Sequence, residues 1–292
     1  MIYTLNRNME CFLGCDSGYD EADIVLYGAP FDGTTSYRPG TRFGPRAIRG
    51  ESYGIETYSP YQDRDLADLR VMDSGDLELP IGDVQATLEA ICARARGILS
   101  DGKLPLMLGG EHLVTLPAVR AAQQAYPDLS IVHFDAHADL RDDYLGVKLS
   151  HACALRRCWE ILGDGRIFQF GIRSGDRAEF EFAAQGHVAM RRFDFEWLDV
   201  TLEALRGKPV YLTIDLDVLD PSAFPGTGTP EPGGVPFLEL LRASTKVARE
   251  ANVVGCDLVE LSPPYDPSGI STAVGCKLTR EILLSLKGGN AS

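Results

Sequence analysis

Six short runs of almost uninterrupted apolar residues constrain this 292-residue chain most: Ile24–Tyr27, Leu104–Leu108, Ile131–Phe134, Ile167–Phe170, Pro209–Ile214 and Val253–Val259. A strand with one wet face alternates apolar and polar residues; these runs do not, so they predict strands covered on both sides. Segments with helical spacing fall between and after them. Val84, Leu88, Ile91, Ala95 and Ile98 recur at that spacing and Gly102 closes the helix. Pro117 suits the first turn of the next helix, and Leu149–Trp159, Glu179–Ala184, Pro236–Ala251 and Leu278–Leu286 read as further helices. Alternating strands and helices of this kind predict an α/β fold, a mostly parallel sheet with helices on both faces. No Ser/Gly tract, charge block or fixed-period repeat interrupts the chain, which predicts a single domain over residues 1–292.

Composition narrows the partners. Lys and Arg total 28 and Asp and Glu 42, a net charge of −14 that argues against nucleic acid as the main partner. An acidic field favours approach of a cationic small molecule, and it serves solubility equally well. No apolar run reaches bilayer length, so no membrane partner is expected. The first residues, Met1 to Asn8, lack the basic start and apolar stretch of an export leader. Together with seven scattered cysteines this predicts reduced thiols and a cytoplasmic protein. The Gly- and Pro-rich stretch after Gly28 holds no phosphate-loop spacing. Its Arg38, Arg42, Arg46 and Arg49 pair with acids across a subunit contact or form a solvated face; the sequence leaves both open.

The polar residues that follow the strands carry the chemistry. His112 follows one run, Asp135, His137 and Asp139 a second, Asp215 and Asp217 a third, and Glu260 a fourth. In a parallel sheet all strands end on one edge, where ligands bind. Four segments far apart in sequence thereby deliver two histidines and five acids to one crevice. In an extended chain residues i, i+2 and i+4 share a face, which would place Asp135, His137 and Asp139 side by side. Hard oxygen donors around imidazoles suit Mn²⁺ better than thiolate-seeking metals. His112, Asp135, His137, Asp139, Asp215 and Asp217 are too many for one zinc, which takes about four ligands. Four aspartates balance two divalent cations, and such a pair would acidify a water held between them into hydroxide near neutral pH. His133 lies one repeat deeper and reads as a supporting histidine; His187 has no ligand pattern near it.

Taken together, Gly109-Gly-Glu-His, Asp135-Ala-His-Ala-Asp, Ser150-His-Ala, Asp215-Leu-Asp-Val-Leu-Asp-Pro-Ser and Val259-Glu-Leu-Ser-Pro resemble the arginase/agmatinase (ureohydrolase) family, in order from about Gly28 to the last helix. The resemblance implies a three-layer α/β/α fold with roughly eight strands, a dinuclear manganese centre of two Mn²⁺ per chain, and hydrolysis of a guanidino group to urea and an amine. By matching motif, Asp135 and Asp215 would bridge the metals, His112 and Asp139 complete one shell, and His137 and Asp217 the other. Asp139 would also hold the attacking hydroxide, Glu260 receive the substrate guanidinium, and His151 pass a proton to the departing amine. The loop Leu140–His151 lacks the asparagine with which arginases read the ends of arginine, so agmatine, giving putrescine, is the expected substrate. Arg141 or Lys148 turned inward would instead suit 4-guanidinobutyrate. A zinc amide deacetylase-like enzyme or a non-catalytic relative fits less well, because neither needs this full set. The resemblance also implies a homo-oligomer, a trimer or hexamer.

Overall fold

Each predicted apolar run is a strand of one parallel sheet. The computed structural model describes residues 11–287; Met1 to Asn8, on which the absence of a leader was read, lie outside them. In chain order the strands are β1 (Ile24–Ala29), β2 (Tyr58–Ser59), β3 (Arg64–Asp65), β4 (Val71–Asp76), β5 (Leu104–Gly109), β6 (Ser130–Phe134), β7 (Ile167–Ile172), β8 (Ala189–Arg192), β9 (Pro209–Asp215) and β10 (Asn252–Val259). The short β2 and β3 pair with each other, antiparallel. The other eight form a single sheet in the order β4-β1-β5-β10-β9-β6-β7-β8, with every neighbouring pair parallel.

Helices α1 (Gly44–Glu51), α2 (Val84–Ser100), α3 (Thr115–Ala125), α4 (Ala154–Leu162), α5 (Arg177–Ala184), α6 (Leu198–Ala204), α7 (Phe237–Glu250) and α8 (Ile270–Ser285) cover the sheet. Successive strand residues point to opposite faces. Leu26 and Leu106 therefore share a core with Ile48 of α1, Leu202 of α6, Leu240 of α7 and Leu283 of α8. Val25 and Met107 join Leu88 of α2, Val119 of α3, Leu155 of α4 and Phe182 of α5 on the other side. This is the three-layer α/β/α arrangement, with eight strands in the middle layer. Among the described residues no helix is long and apolar enough to cross a membrane.

The register sets the site. Leu108 lies opposite Leu258, Leu258 opposite Ile214, and Ile214 opposite Phe134. The carboxyl ends of β5, β10, β9 and β6 are thus level neighbours, although their order in the chain is different.

Four expectations need correction. The edge strands β4 and β8 escaped the apolar criterion because an edge strand is not enclosed on both sides; β4 carries Asp73 and Asp76, and β8 has no fully buried residue. Helix α8 begins eight residues before Leu278, since buried Ser271, Thr272, Gly275 and Cys276 hide its apolar stripe. The segment Leu149–Trp159 is helical only from His151, as a 3₁₀ turn (His151–Cys153) leading into α4, so Cys158 alone of its two cysteines lies on the α-helix. Of the arginines after β1, Arg42 and Arg46 are exposed, as a solvated face requires, whereas Arg49 is buried inside the chain. Arg49 is 2% exposed and donates to Asp73 at 2.7 and 3.0 Å and to Asp76. Arg42 pairs with Asp32, and Arg38 stacks over Tyr37 and Tyr265.

Candidate metal centre and active-site cleft

The ligand spacing comes from turns, not from strand alternation. Strand β6 ends at Phe134, before the first candidate ligand. Asp135 Oδ1 then accepts a hydrogen bond from the backbone N–H of His137 at 2.5 Å, and Asp215 Oδ1 accepts from the N–H of Asp217 at 2.8 Å. In both motifs the aspartate bonds its own backbone two residues on, which folds the chain and brings i and i+2 to one side. Asp139 is reached through a left-handed backbone (φ 52°), and Glu260 likewise (φ 66°). Non-glycine residues seldom sit there.

Two histidines divide the acids between them. His112 Nδ1 lies 3.0 Å from Asp135 Oδ2 and 3.3 Å from both Asp139 Oδ2 and Asp215 Oδ2. His137 Nδ1 lies 3.0 Å from Asp217 Oδ2 and 3.5 Å from Asp135 Oδ1. Asp135 thus offers one oxygen to each histidine. Asp135, His137 and Asp217 place ligand atoms within 4.8 Å of one another, as do His112, His133 and Asp135. His133 drops out of the second set because both its nitrogens are engaged. Its Nδ1 accepts from Gln169 Nε2 at 3.1 Å, so its Nε2–H donates to Asp135 Oδ2 at 2.8 Å. His133 is a support for Asp135. His187 lies elsewhere, against Asp164 at the surface.

The residues present fit divalent cations. His112 Nδ1 is buried and has no hydrogen-bond partner, while its Nε2 lies 3.0 Å from Thr213 Oγ1. Thr213 donates its own hydrogen to Asp257 Oδ1 at 2.6 Å, so its oxygen accepts from His112 Nε2–H and the Nδ1 lone pair is turned toward the acids. The charge balance agrees. Burial, then repulsion from Asp217 and Asp135, pushes the Asp215 carboxyl well above the carboxylate range. Positive charge among these oxygens would relieve that conflict. Asp257, at 0% exposure, also accepts from Tyr211 and Thr115 at 2.8 and 2.9 Å. Sequence reasoning missed it, although an acid inside the apolar run Val253–Val259 was a visible signal. Replacing Thr213 by Val would free the His112 tautomer. The expected result is about 10- to 100-fold weaker divalent-cation binding, read by titrating metal-depleted protein; unchanged affinity would remove Thr213 from this role.

The cleft above holds roughly 180 Å³ and is lined by His137, Asp139, His151, Asp215, Asp217 and Glu260, and by Ser36, Arg141, Tyr144 and Glu179. Glu260 is anchored by its own N–H to Gly110 O at 2.8 Å, and its Oε1 accepts from the His112 N–H at 2.8 Å. A side chain on Gly110 would run into Phe31 O, 1.9 Å from an added Cβ, so only glycine allows this close approach. His151 places Nδ1 3.0 Å from the carbonyl of Thr34. A carbonyl only accepts, so Nδ1 carries the hydrogen and Nε2 of the neutral ring is left basic. Burial holds the His151 pKa below its ordinary value, which favours that neutral ring. Arg141 lies 3.1 Å from Asp176 Oδ2 and 3.6 Å from Glu179 Oε2, over the Tyr144 ring. Lys148 is 65% exposed and 3.9 Å from Asp142, away from the lining.

The Arginase family model matches residues 22–285. The agmatinase of Bacillus subtilis (strain 168) is 49% identical over 275 residues, covering 94% of this chain and 95% of the relative. The guanidinobutyrase of Pseudomonas aeruginosa is 37% identical over 281 residues, covering 92% of this chain and 88% of that protein. The crystal structure of the agmatine ureohydrolase of Thermoplasma volcanium superposes with a TM-score of 0.87 at 37% identity, covering 97% of this chain and 95% of that one. With the family model spanning most of the sequence and relatives aligned along nearly all of it, the chain belongs to the arginase family.

Proposed function

We propose that the chain, acting as one catalytic unit, hydrolyses the guanidino group of agmatine to give putrescine and urea, with two Mn²⁺ ions held by His112, Asp135, His137, Asp139, Asp215 and Asp217. The observation that carries this reading is the division of Asp135, one oxygen toward each of two histidine-centred acid groups, beneath a cleft that also holds Glu260 and His151. It is supported by the agmatinase relative that aligns along nearly the whole chain. On this assignment His112 and Asp139 would hold one ion and His137 and Asp217 the other, with Asp135 and Asp215 contributing to both. Bound there, the ions would supply a water acidic enough to attack at neutral pH.

The chain's own groups do the rest. Glu260 receives the guanidinium and sets its carbon over the acid floor, because a resonance-stabilised carbon reacts only when held in place. Asp139 accepts a hydrogen bond from the attacking water and orients it. Oxygen adds to the guanidinium carbon, the bond to the butyl nitrogen breaks, and the two water hydrogens end on that nitrogen, leaving urea and a protonated amine. His151 Nε2, basic while Nδ1 is held by Thr34, carries a proton to the departing nitrogen.

Urea release from agmatine, arginine and 4-guanidinobutyrate tests the reading; no release from any of them would end it. A second substrate, 4-guanidinobutyrate, is favoured by one observation, the cationic Arg141 on the cleft wall, and has support from the guanidinobutyrase relative. Glu260→Gln checks the substrate contact itself. Glutamine can keep the bond from the His112 N–H with its oxygen, which turns its amide hydrogens toward the guanidinium. Loss of one charge-assisted bond costs about 1.5–3 kcal/mol, so kcat/KM is expected to fall roughly 10- to 100-fold with bound manganese unchanged. Near-normal turnover of agmatine would show that Glu260 does not face the substrate.

A further inference from the structure

Glu111 stands between the glycine pair and His112 and is 0% exposed. Burying a carboxylate is costly unless it is bonded, and most often it is bonded to a cation. The donors that Glu111 does hold are neutral. Its Oε2 accepts from the backbone N–H of Thr34 at 2.9 Å and from Thr35 Oγ1 at 3.1 Å, and its Oε1 accepts from Thr34 Oγ1.

Thr34 lies in the irregular segment between β1 and the 3₁₀ turn at Thr41, so no ladder or helix of its own fixes it. The segment is pinned to the end of β5 at two places, the Glu111 N–H donating to Phe31 O at 2.8 Å and the Glu111 carboxylate on Thr34. Thr34 in turn takes two bonds that locate His151. Its Oγ1 accepts from the His151 N–H at 3.1 Å and its carbonyl accepts from the ring Nδ1–H at 3.0 Å. One residue therefore sets the backbone of His151, the direction of its ring and the nitrogen that carries the hydrogen, and that residue is clamped by Glu111.

We propose that Glu111 is a positioning residue for His151, acting through Thr34. The inference rests on His151 serving the departing amine. A proton carrier works over hydrogen-bond distances, and a displacement of about 1 Å costs up to ~100-fold in rate. Without Glu111, Thr34 loses two bonds to the sheet end and Thr35 a third, and the imidazole moves with them. Glu111 touches neither substrate nor reacting atoms, so its loss falls on kcat and spares KM.

The test is a double-mutant cycle on manganese-loaded protein, with kcat and KM for agmatine, bound manganese and Tm measured for each variant. His151→Asn is expected to lower kcat. Glu111→Ala is expected to lower kcat about 10-fold with KM within twofold and manganese unchanged. In the His151→Asn background Glu111→Ala is expected to cost nothing further, since groups acting in series are not additive. Thr34→Val removes the hydroxyl while filling its space, and is expected to match Glu111→Ala; Thr34→Ser restores kcat. This pair keeps the cycle informative if Glu111→Ala fails to fold. An undiminished loss from Glu111→Ala, or from Thr34→Val, in the His151→Asn background overturns the inference, as does a kcat loss that tracks loss of manganese. If His151→Asn alone leaves kcat unchanged, it is the role of His151 that fails.

Discussion

Protein carrying Asp135→Asn is expected to release urea from agmatine at least about 10³-fold more slowly than the unmodified chain and to retain fewer than two divalent ions. Both oxygens of Asp135 face donors. Oδ1 accepts from the His137 N–H at 2.5 Å and Oδ2 from His133 Nε2–H at 2.8 Å. Asparagine has one oxygen and one NH₂ group, so in either orientation its hydrogens meet another donor. An unsatisfied buried group costs about 1–3 kcal/mol and a lost charged bond about 1.5–3 kcal/mol; ~4 kcal/mol lost from ion binding corresponds to roughly 10³-fold in affinity, and the rate follows the ions that supply the attacking water. The change also removes an anion shared by His112 and His137. His112→Ala, by contrast, is expected to weaken one ion and leave the second. Metal analysis after dialysis, run beside the urea assay, separates the two variants. A fully loaded, active Asp135→Asn protein would refute the shared-ligand assignment.

Agmatine is expected to exceed arginine by at least about 100-fold in kcat/KM. Arginine adds a carboxylate at the end away from the acid floor, where a buried anion without a partner loses several kcal/mol of hydration; each ~1.4 kcal/mol is tenfold. Arg141 is the cation on that wall, and Asp176 and Glu179 already hold it. To read a carboxylate it must leave at least one of them, so its help is discounted. Competition among agmatine, arginine and 4-guanidinobutyrate at equal concentration measures the ratio. Equal rates for agmatine and arginine would reject agmatine as the preferred substrate. A preference for 4-guanidinobutyrate that disappears in Arg141→Ala would install that compound instead.

The central strands were legible because enclosure on both faces leaves a continuous apolar run, and the candidate ligands because every strand of a parallel sheet ends on the same edge. What could not be read depends on neighbours in space. No spacing in the sequence reveals that β10 and β9 lie between β5 and β6, or that their ends are level. The D-x-H-x-D motif was visible, but strand alternation was the wrong reason for its spacing; Asp135, like Asp215, folds the chain by bonding the N–H two residues on. Edge strands β4 and β8 lack the apolar run that betrays a central strand. Thr213 and Asp257 sit inside strands whose apolar neighbours dominate the pattern, and the link from Glu111 to His151 passes through a loop 117 residues away from the histidine it locates.

The sheet order also governs when the cleft can exist during synthesis. Strands β5 and β6 leave the ribosome early, yet in the finished sheet β10 and β9 stand between them. Until residues 209–259 have been made, β5 and β6 each present an unpaired edge of buried-type residues, a template for pairing with another chain. Contacts this distant in sequence close slowly. A nascent chain stopped before β9 would lack Asp215, Asp217 and Glu260 while keeping His112 and the Asp135 group, so the ion-binding floor is completed only as the sheet itself is sealed. Chaperone dependence in this protein should therefore peak with the chain about two-thirds made, a stage that ribosome-bound chains of graded length would reveal.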